Sequence, residues 1–221
     1  MENAKSNWNV LCNLDAHFNQ EWLKFIESDP VHPITSSKPI ERRTKRDRLI
    51  FVATEHNEPK AMVQIALCKA FPCSALDLWD PSIKEPPYEF AIFYSVFRLP
   101  GIQPLKGLAE HLINSAANRI HGATPSIKNF VTLSPIPSLA KHLAAASPWQ
   151  DVWDYVRSNQ DPVSRFHTNN GAKAIGVWPE ADMCEQRVKE SHGWMASYEY
   201  ILAEQRQKAS NPNLKNKVGW L

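Results

Sequence analysis

Hydrophobic positions change period along the chain, and each change marks an element. Between residues 14 and 27, apolar side chains fall at Leu14, Phe18, Trp22, Leu23, Phe25 and Ile26. That spacing predicts a helix, stopped by Asp29-Pro30 and Pro33. Residues 34–48 read as a loop or a short polar helix. Two strands follow, at 49–54 and 61–67, joined through His56-Asn57-Glu58-Pro59 into a hairpin. A proline-rich loop spans 71–87. Residues 89–97 are apolar and aromatic throughout, as in a strand buried on both faces. From 105 to 120, Leu105, Leu108, Leu112, Ile113, Ala116 and Ile120 form one helical stripe. A strand ends at Leu133, and helices are predicted over 138–146 and 148–159. Asp161-Pro162 reads as an N-cap with proline in the first turn, giving one or two turns to His167. A strand at 175–178, a helix at 182–190 and a final strand at 194–202 complete the pattern. From Arg206 the sequence is polar.

The order is hairpin, strand, helix, strand, helices, strand. It predicts an α/β (α+β) fold, a mixed sheet with flanking helices in a single domain over 31–205. A helical segment precedes it at 1–30 and a polar tail follows at 206–221. The strand–helix–strand unit across 89–134 is expected to pair its strands in parallel through a right-handed crossover.

Composition narrows the functional classes. A net charge of +2 offers no electrostatic argument for a nucleic-acid or membrane partner. The basic cluster at 41–48 reads as a solvated loop. Cys12, Cys68, Cys73 and Cys184 match neither a zinc spacing nor a disulfide framework. No apolar run has the length of a membrane span, and residues 1–10 lack the apolar core of a secretory signal. The expected location is cytoplasmic. No metal site is predicted, because His111, His121 and His142 have no carboxylates at ligand spacing.

The segment FVTLSPIPSLAKHL, 130–143, stops a strand at Ser134 and stiffens the next turn with Pro135 and Pro137. Taken alone, Ser134 is either a hydroxyl that caps this turn or a residue held in place for chemistry. Tyr94, Tyr198 and Tyr200 read as core-strand residues, and His32 as structural.

Six stretches, in order, resemble the malonyl-CoA decarboxylase family: VHPI at 31–34, EPKAMVQIAL at 58–67, AIFYSV at 91–96, TLSPIP at 132–137, DPVSRFHTNNGA at 161–172 and SHGWMASYEY at 191–200. The resemblance implies a fold like the Gcn5-related N-acetyltransferases (GNAT). It implies catalytic roles for Ser134 and His167, with His167 as proton donor and Ser134 orienting or relaying. It implies that the acyl-CoA strand is Lys60, Ala61, Met62, Val63, Gln64, Ile65 and Ala66, with backbone N–H groups from Val63 to Ala66 facing the enolate oxygen. Asn170 and Lys106 are further substrate contacts on this reading. The implied reaction is metal-free decarboxylation of malonyl-CoA, or of a malonyl group on a carrier protein. Coenzyme A is then part of the substrate and no separate cofactor is needed. A GNAT-type acyltransferase and a non-catalytic acyl-thioester binder are the alternatives. The sequence departs from the family in three ways. The family's N-terminal helical domain is not among the matched stretches. Gln64 stands where the family carries glutamate. Only Gly101 and Gly107 remain of a glycine-rich loop that would approach a pyrophosphate.

Overall fold

The computed structural model describes residues 8–32, 40–79 and 86–201; the predicted tail, Pro33 and part of the 71–87 loop lie outside them. The strands are β1 (Asn9–Cys12), β2 (Arg48–Glu55), β3 (Glu58–Cys68), β4 (Phe90–Arg98), β5 (Asn129–Thr132), β6 (Ser134–Pro135), β7 (Ala172–Trp178) and β8 (Met195–Tyr200). The helices are α1 (Ile40–Arg43), α2 (Ala75–Trp79), α3 (Leu108–Ala123), α4 (Trp149–Arg157), α5 (Pro162–Asn169) and α6 (Glu185–Ser191). One mixed sheet runs in the order β1-β2-β3-β4-β5-β8-β6, with β7 also paired to β8. The β4–α3–β5 unit is parallel, as its sequence predicts, and the other pairings are antiparallel.

Alternation along each strand divides the core into two layers. Phe51, Val63, Ile65 and Phe93 face α3, whose Leu112, Ile113, Ala116 and Ile120 complete that layer. Their strand neighbours face the other way. Ile50, Val52 and Met62 pack on Trp22 and Ile26, while Ile92 and Tyr94 pack on Leu78 and Trp79. Burial on both faces explains why these strands are apolar almost without interruption.

Several elements depart from the sequence pattern. The helix predicted over 14–27 is a 3-10 helix, Gln20–Ser28. Ahead of it, Asp15 accepts the Cys12 N–H at 2.8 Å and Asn19 accepts the Glu21 N–H at 3.0 Å. These side chains spend the first predicted turns on a corner and a cap. The residues before that corner form β1, an edge strand the pattern did not reveal. The helix predicted over 138–146 shrinks to a 3-10 turn, Leu139–Lys141.

The basic cluster is solvated only in part: Glu41, Lys45 and Arg46 are exposed, and two arginines are not. Arg43 and Arg48 are 0% and 1% exposed. Arg43 ion-pairs with Asp29 at 2.7 Å. Arg48 donates to Leu78 O at 2.5 Å and lies over the Trp79 and Tyr94 rings. Paired and stacked, these arginines avoid the cost of a bare buried charge.

Where β4 meets β5 the sheet opens. The two strands pair from Phe90/Asn129 to Phe93/Thr132 and no further. Beyond Phe93, β4 continues along β3 alone, while the chain after Thr132 pairs with β8 at Ser134/Ala196. A bulge adds to the divergence: Ile65 faces Phe93 and Gln64 faces Ser95, leaving Tyr94 without an opposite residue on β3.

Candidate active site

A cavity of about 300 Å³ occupies this opening. Its wall includes Phe93, Tyr94 and Val96 of β4, Ser134 and Pro135 of β6, and Phe166 and His167 of α5. A second cavity of about 200 Å³ lies beside the start of α3, between Ala61, Pro104, Leu105 and Leu108. Val96 and Phe166 line both, so the two cavities are neighbours on either side of those side chains.

The two chemical motifs are brought together by local physics. Asp161 caps α5 by accepting the Val163 N–H at 2.8 Å, and Pro162 opens the helix. The same carboxylate accepts the Ser138 N–H at 3.0 Å. It therefore ties the end of the proline-stiffened turn to the helix that carries His167. Burial pushes the Asp161 carboxyl above its ordinary range, against the hydrogen bonds that favour its charged form.

Ser134 Oγ lies 3.0 Å from His167 Nε2 and 3.0 Å from Thr132 Oγ1. Tyr200 OH lies 2.8 Å from His167 Nδ1. Burial holds the Tyr200 hydroxyl far above its ordinary pKa, and one tautomer lets it donate to Nδ1. The ring N–H then sits on Nε2 and donates to Ser134 Oγ. The Ser134 hydroxyl is left to donate to Thr132 or into the cavity. Tyr198 stacks on the imidazole at 4.5 Å between centroids. Its hydroxyl is bonded to Ser164 Oγ at 2.7 Å, and its N–H donates to Thr132 Oγ1 at 3.1 Å.

Burial lowers the His167 pKa from 6.5 to about 3, so the imidazole is neutral at neutral pH. Between those values the unfolded chain binds a proton that the folded chain resists. Stability therefore falls as pH drops from 6.5 towards 3, by up to about 1.4 kcal/mol per pH unit from this residue, and is restored above 6.5. Thermal unfolding across pH 4–7.5 should show this slope, and His167→Gln should flatten it. An equal slope in both proteins would place the titration elsewhere.

The other sequence-nominated residues scatter. β3 is bonded along both edges, to β2 and β4. The N–H groups of Val63 to Ala66 therefore lie inside the sheet, away from the opening between β4 and β5. Met62, Val63, Ile65 and Ala66 are core residues, and Lys60 pairs with Glu58 at 2.7 Å. Of this stretch, Ala61 lines the second cavity. The strand bordering the reaction cavity is β4, whose edge beyond Phe93 has no strand partner on that side among the described residues. Asn170 is the C-cap of α5 and donates to Phe166 O at 2.7 Å, so its amide serves the helix end. Lys106 is exposed in the turn before α3, next to the Leu105 that borders the second cavity.

Gln64 sits in a buried network beneath the cavity. It donates to Asp29 Oδ2 at 2.9 Å and accepts from Tyr94 OH at 3.2 Å. A glutamate here would lack the N–H that Asp29 accepts. Asp29 takes further donors from Val31 N, His32 N, Arg43 and Ser95 Oγ at 2.7–3.1 Å. This anchors Pro30 and Val31 against the cavity, whose wall they form.

Thr132, Tyr198 and Tyr200 were missed as site residues. The available signal was the alternation of β8, which puts residues 198 and 200 on one face, together with the hydroxyl two residues before Ser134.

Among the described residues, no helix is long and apolar enough to cross a membrane. The sequence matches the model of the malonyl-CoA decarboxylase C-terminal domain over residues 19–153 and 144–211. No curated protein matches it. Among solved structures, malonyl-CoA decarboxylase from Agrobacterium vitis is similar with a TM-score of 0.70 and 22% identity, over 93% of this chain and 64% of that one. The enzyme from Rhodopseudomonas palustris gives 0.69 and 23%, over 96% and 64%. The GNAT-like decarboxylase GphF, in complex with isobutyryl-CoA, gives 0.64 and 14%, over 87% and 98%. At these identities the likeness is one of fold, and this chain spans under two thirds of the first two proteins. The family match covers most of the chain, however, and the chain belongs to the family of malonyl-CoA decarboxylase C-terminal domains.

Proposed function

We propose that this chain decarboxylates a malonyl thioester, giving the acetyl thioester and carbon dioxide. The observation carrying this reading is the Ser134–His167 hydrogen bond of 3.0 Å on the wall of a cavity opened between β4 and β5. The second cavity, beside α3, is the entry for the pantetheine arm of coenzyme A or of a carrier protein. The thioester then lies near Val96 and Phe166.

In this scheme the bond between the α-carbon and the carboxylate breaks, and its electron pair moves into the thioester carbonyl as an enolate. N–H groups on the free edge of β4 stabilise the enolate oxygen. A thioester enolate is basic enough to take a proton from an alcohol. Ser134, the hydroxyl on the cavity wall, donates that proton to the α-carbon. His167 Nε2–H stabilises the resulting alkoxide, which recovers a proton from solvent as product leaves. A neutral His167 suits this role, since no stored imidazolium is required. Apolar walls from Phe93, Val163 and Phe166 keep water from the developing charge.

Acetyl-CoA should form when the purified chain is incubated with malonyl-CoA and no amine acceptor, followed by mass spectrometry. Product that needs an added amine would assign a transferase instead. No product from malonyl-CoA or a malonyl carrier protein would sink the reading. Tyr200→Phe should lower kcat up to about tenfold with KM little changed, because it removes one hydrogen bond that orients His167. An unchanged kcat would remove Tyr200 from the relay.

A further inference from the structure

The cavity passes through the sheet. His167 and Phe166 enter it on the face where Tyr198, Tyr200 and α3 pack. Tyr94, Val31 and Arg187 line it from the face where Trp79 and His32 pack. A thioester arriving beside α3 therefore points the far end of its acyl group towards α6. Arg187 waits there. It is 4% exposed, and it is the cationic side chain on the cavity wall. Its Nη1 is 2.5 Å from a Glu190 carboxylate oxygen, and its Nη2 donates to Val31 O. A guanidinium carries five N–H donors in a fixed fork, so these two bonds leave others free. Glu190 also borders the cavity, with its side chain 30% exposed.

We propose that Arg187 reads the free carboxylate of the acyl group and makes the site selective for dicarboxylic (malonyl-type) thioesters over simple acyl thioesters. Glu190 holds the guanidinium in the empty site and competes with the incoming carboxylate for it. The fork fixes the carboxylate plane, and so the direction of the bond that breaks. Asp29 supports this geometry from behind, because it accepts the N–H of Val31, the residue whose carbonyl Arg187 grips. The inference rests on the malonyl-thioester reading above, but it concerns recognition and is tested without turnover.

The test is calorimetric titration of this chain carrying His167→Ala, and of the parent chain, with malonyl-CoA and with acetyl-CoA. Both proteins should prefer malonyl-CoA. Arg187→Gln should weaken malonyl-CoA binding by about tenfold or more and leave acetyl-CoA within about twofold. Arg187→Lys should retain part of the preference, as a point charge without the fork. Glu190→Gln, which leaves Arg187 in place, should tighten malonyl-CoA binding and not acetyl-CoA binding. Equal loss of both ligands in Arg187→Gln would make it a wall residue and overturn the inference. So would absence of any preference in the parent, or a Glu190→Gln protein with unchanged malonyl-CoA affinity. If the parent shows no turnover yet shows the Arg187-dependent preference, decarboxylation fails and carboxylate recognition stands.

Discussion

Ser134→Ala is expected to lower decarboxylation of malonyl-CoA by about 10²–10⁴-fold, the range for removing a positioned general acid. His167→Ala is expected to fall to a similar level, and the double variant little further. The two side chains act as one unit, so their losses should not add. The reason is geometric. Ser134 has two buried polar neighbours, His167 Nε2 and Thr132 Oγ1, each at 3.0 Å. Removing the ring leaves the hydroxyl with one partner and the alkoxide unsupported. Removing the hydroxyl takes away the proton donor and leaves the imidazole N–H with no alkoxide to support. Single-turnover measurement of acetyl-CoA is the suitable readout, since it separates chemistry from product release. Full activity in either variant would exclude the Ser134–His167 pair as the proton source. Additive losses would mean that the two residues serve different steps.

Asp29→Ala should produce the largest loss of stability, about 3–5 kcal/mol in chemical denaturation, because it strands a buried cation. Five donors converge on this carboxylate, among them the fully buried Arg43. Alanine would leave the Arg43 guanidinium without its counter-ion and the Val31 and His32 N–H groups without an acceptor. Asp29→Asn keeps the shape, but it sets an amide against donors and should recover only part of the loss. A variant within about 0.5 kcal/mol of the parent, the usual size of a surface change, would show that the network is dispensable. The same substitutions should weaken substrate binding, because Pro30 and Val31 lose the anchor that holds them on the cavity wall.

The parts of this molecule that could be read from sequence are those encoded over a few residues. The β4–α3–β5 crossover follows from one apolar run, one helical stripe and a second strand. Ser134 and His167 sit in short motifs whose turn and cap chemistry is local, and Asp161 joins them as the cap that its position announced. What escaped notice depends on contacts between distant residues. Arg43 and Arg48 lie in a charged run that looks solvated, and their partners Asp29, Trp79 and Tyr94 become neighbours only in the folded sheet. Gln64 reads as one position of a substrate strand until Asp29, 35 residues earlier, is seen to receive its amide. The resemblance pointed to β3 as the acyl-CoA strand, whereas the strand that borders the opening is β4. Both are apolar, and only the parting of β4 from β5 tells which one borders the opening.

The pleat of β8 gives the site a reading frame. Ala196, opposite Ser134, Tyr198, stacked on His167, and Tyr200, bonded to its far nitrogen, are alternate residues on one strand face. A one-residue slip of β8 against its neighbours would send all three to the opposite side of the sheet. The strand would remain, and the chemistry would be out of phase. An insertion or deletion of one residue inside β8 would likewise break the alternation, a constraint on how this lineage can vary that acts through strand parity and not through any single catalytic side chain.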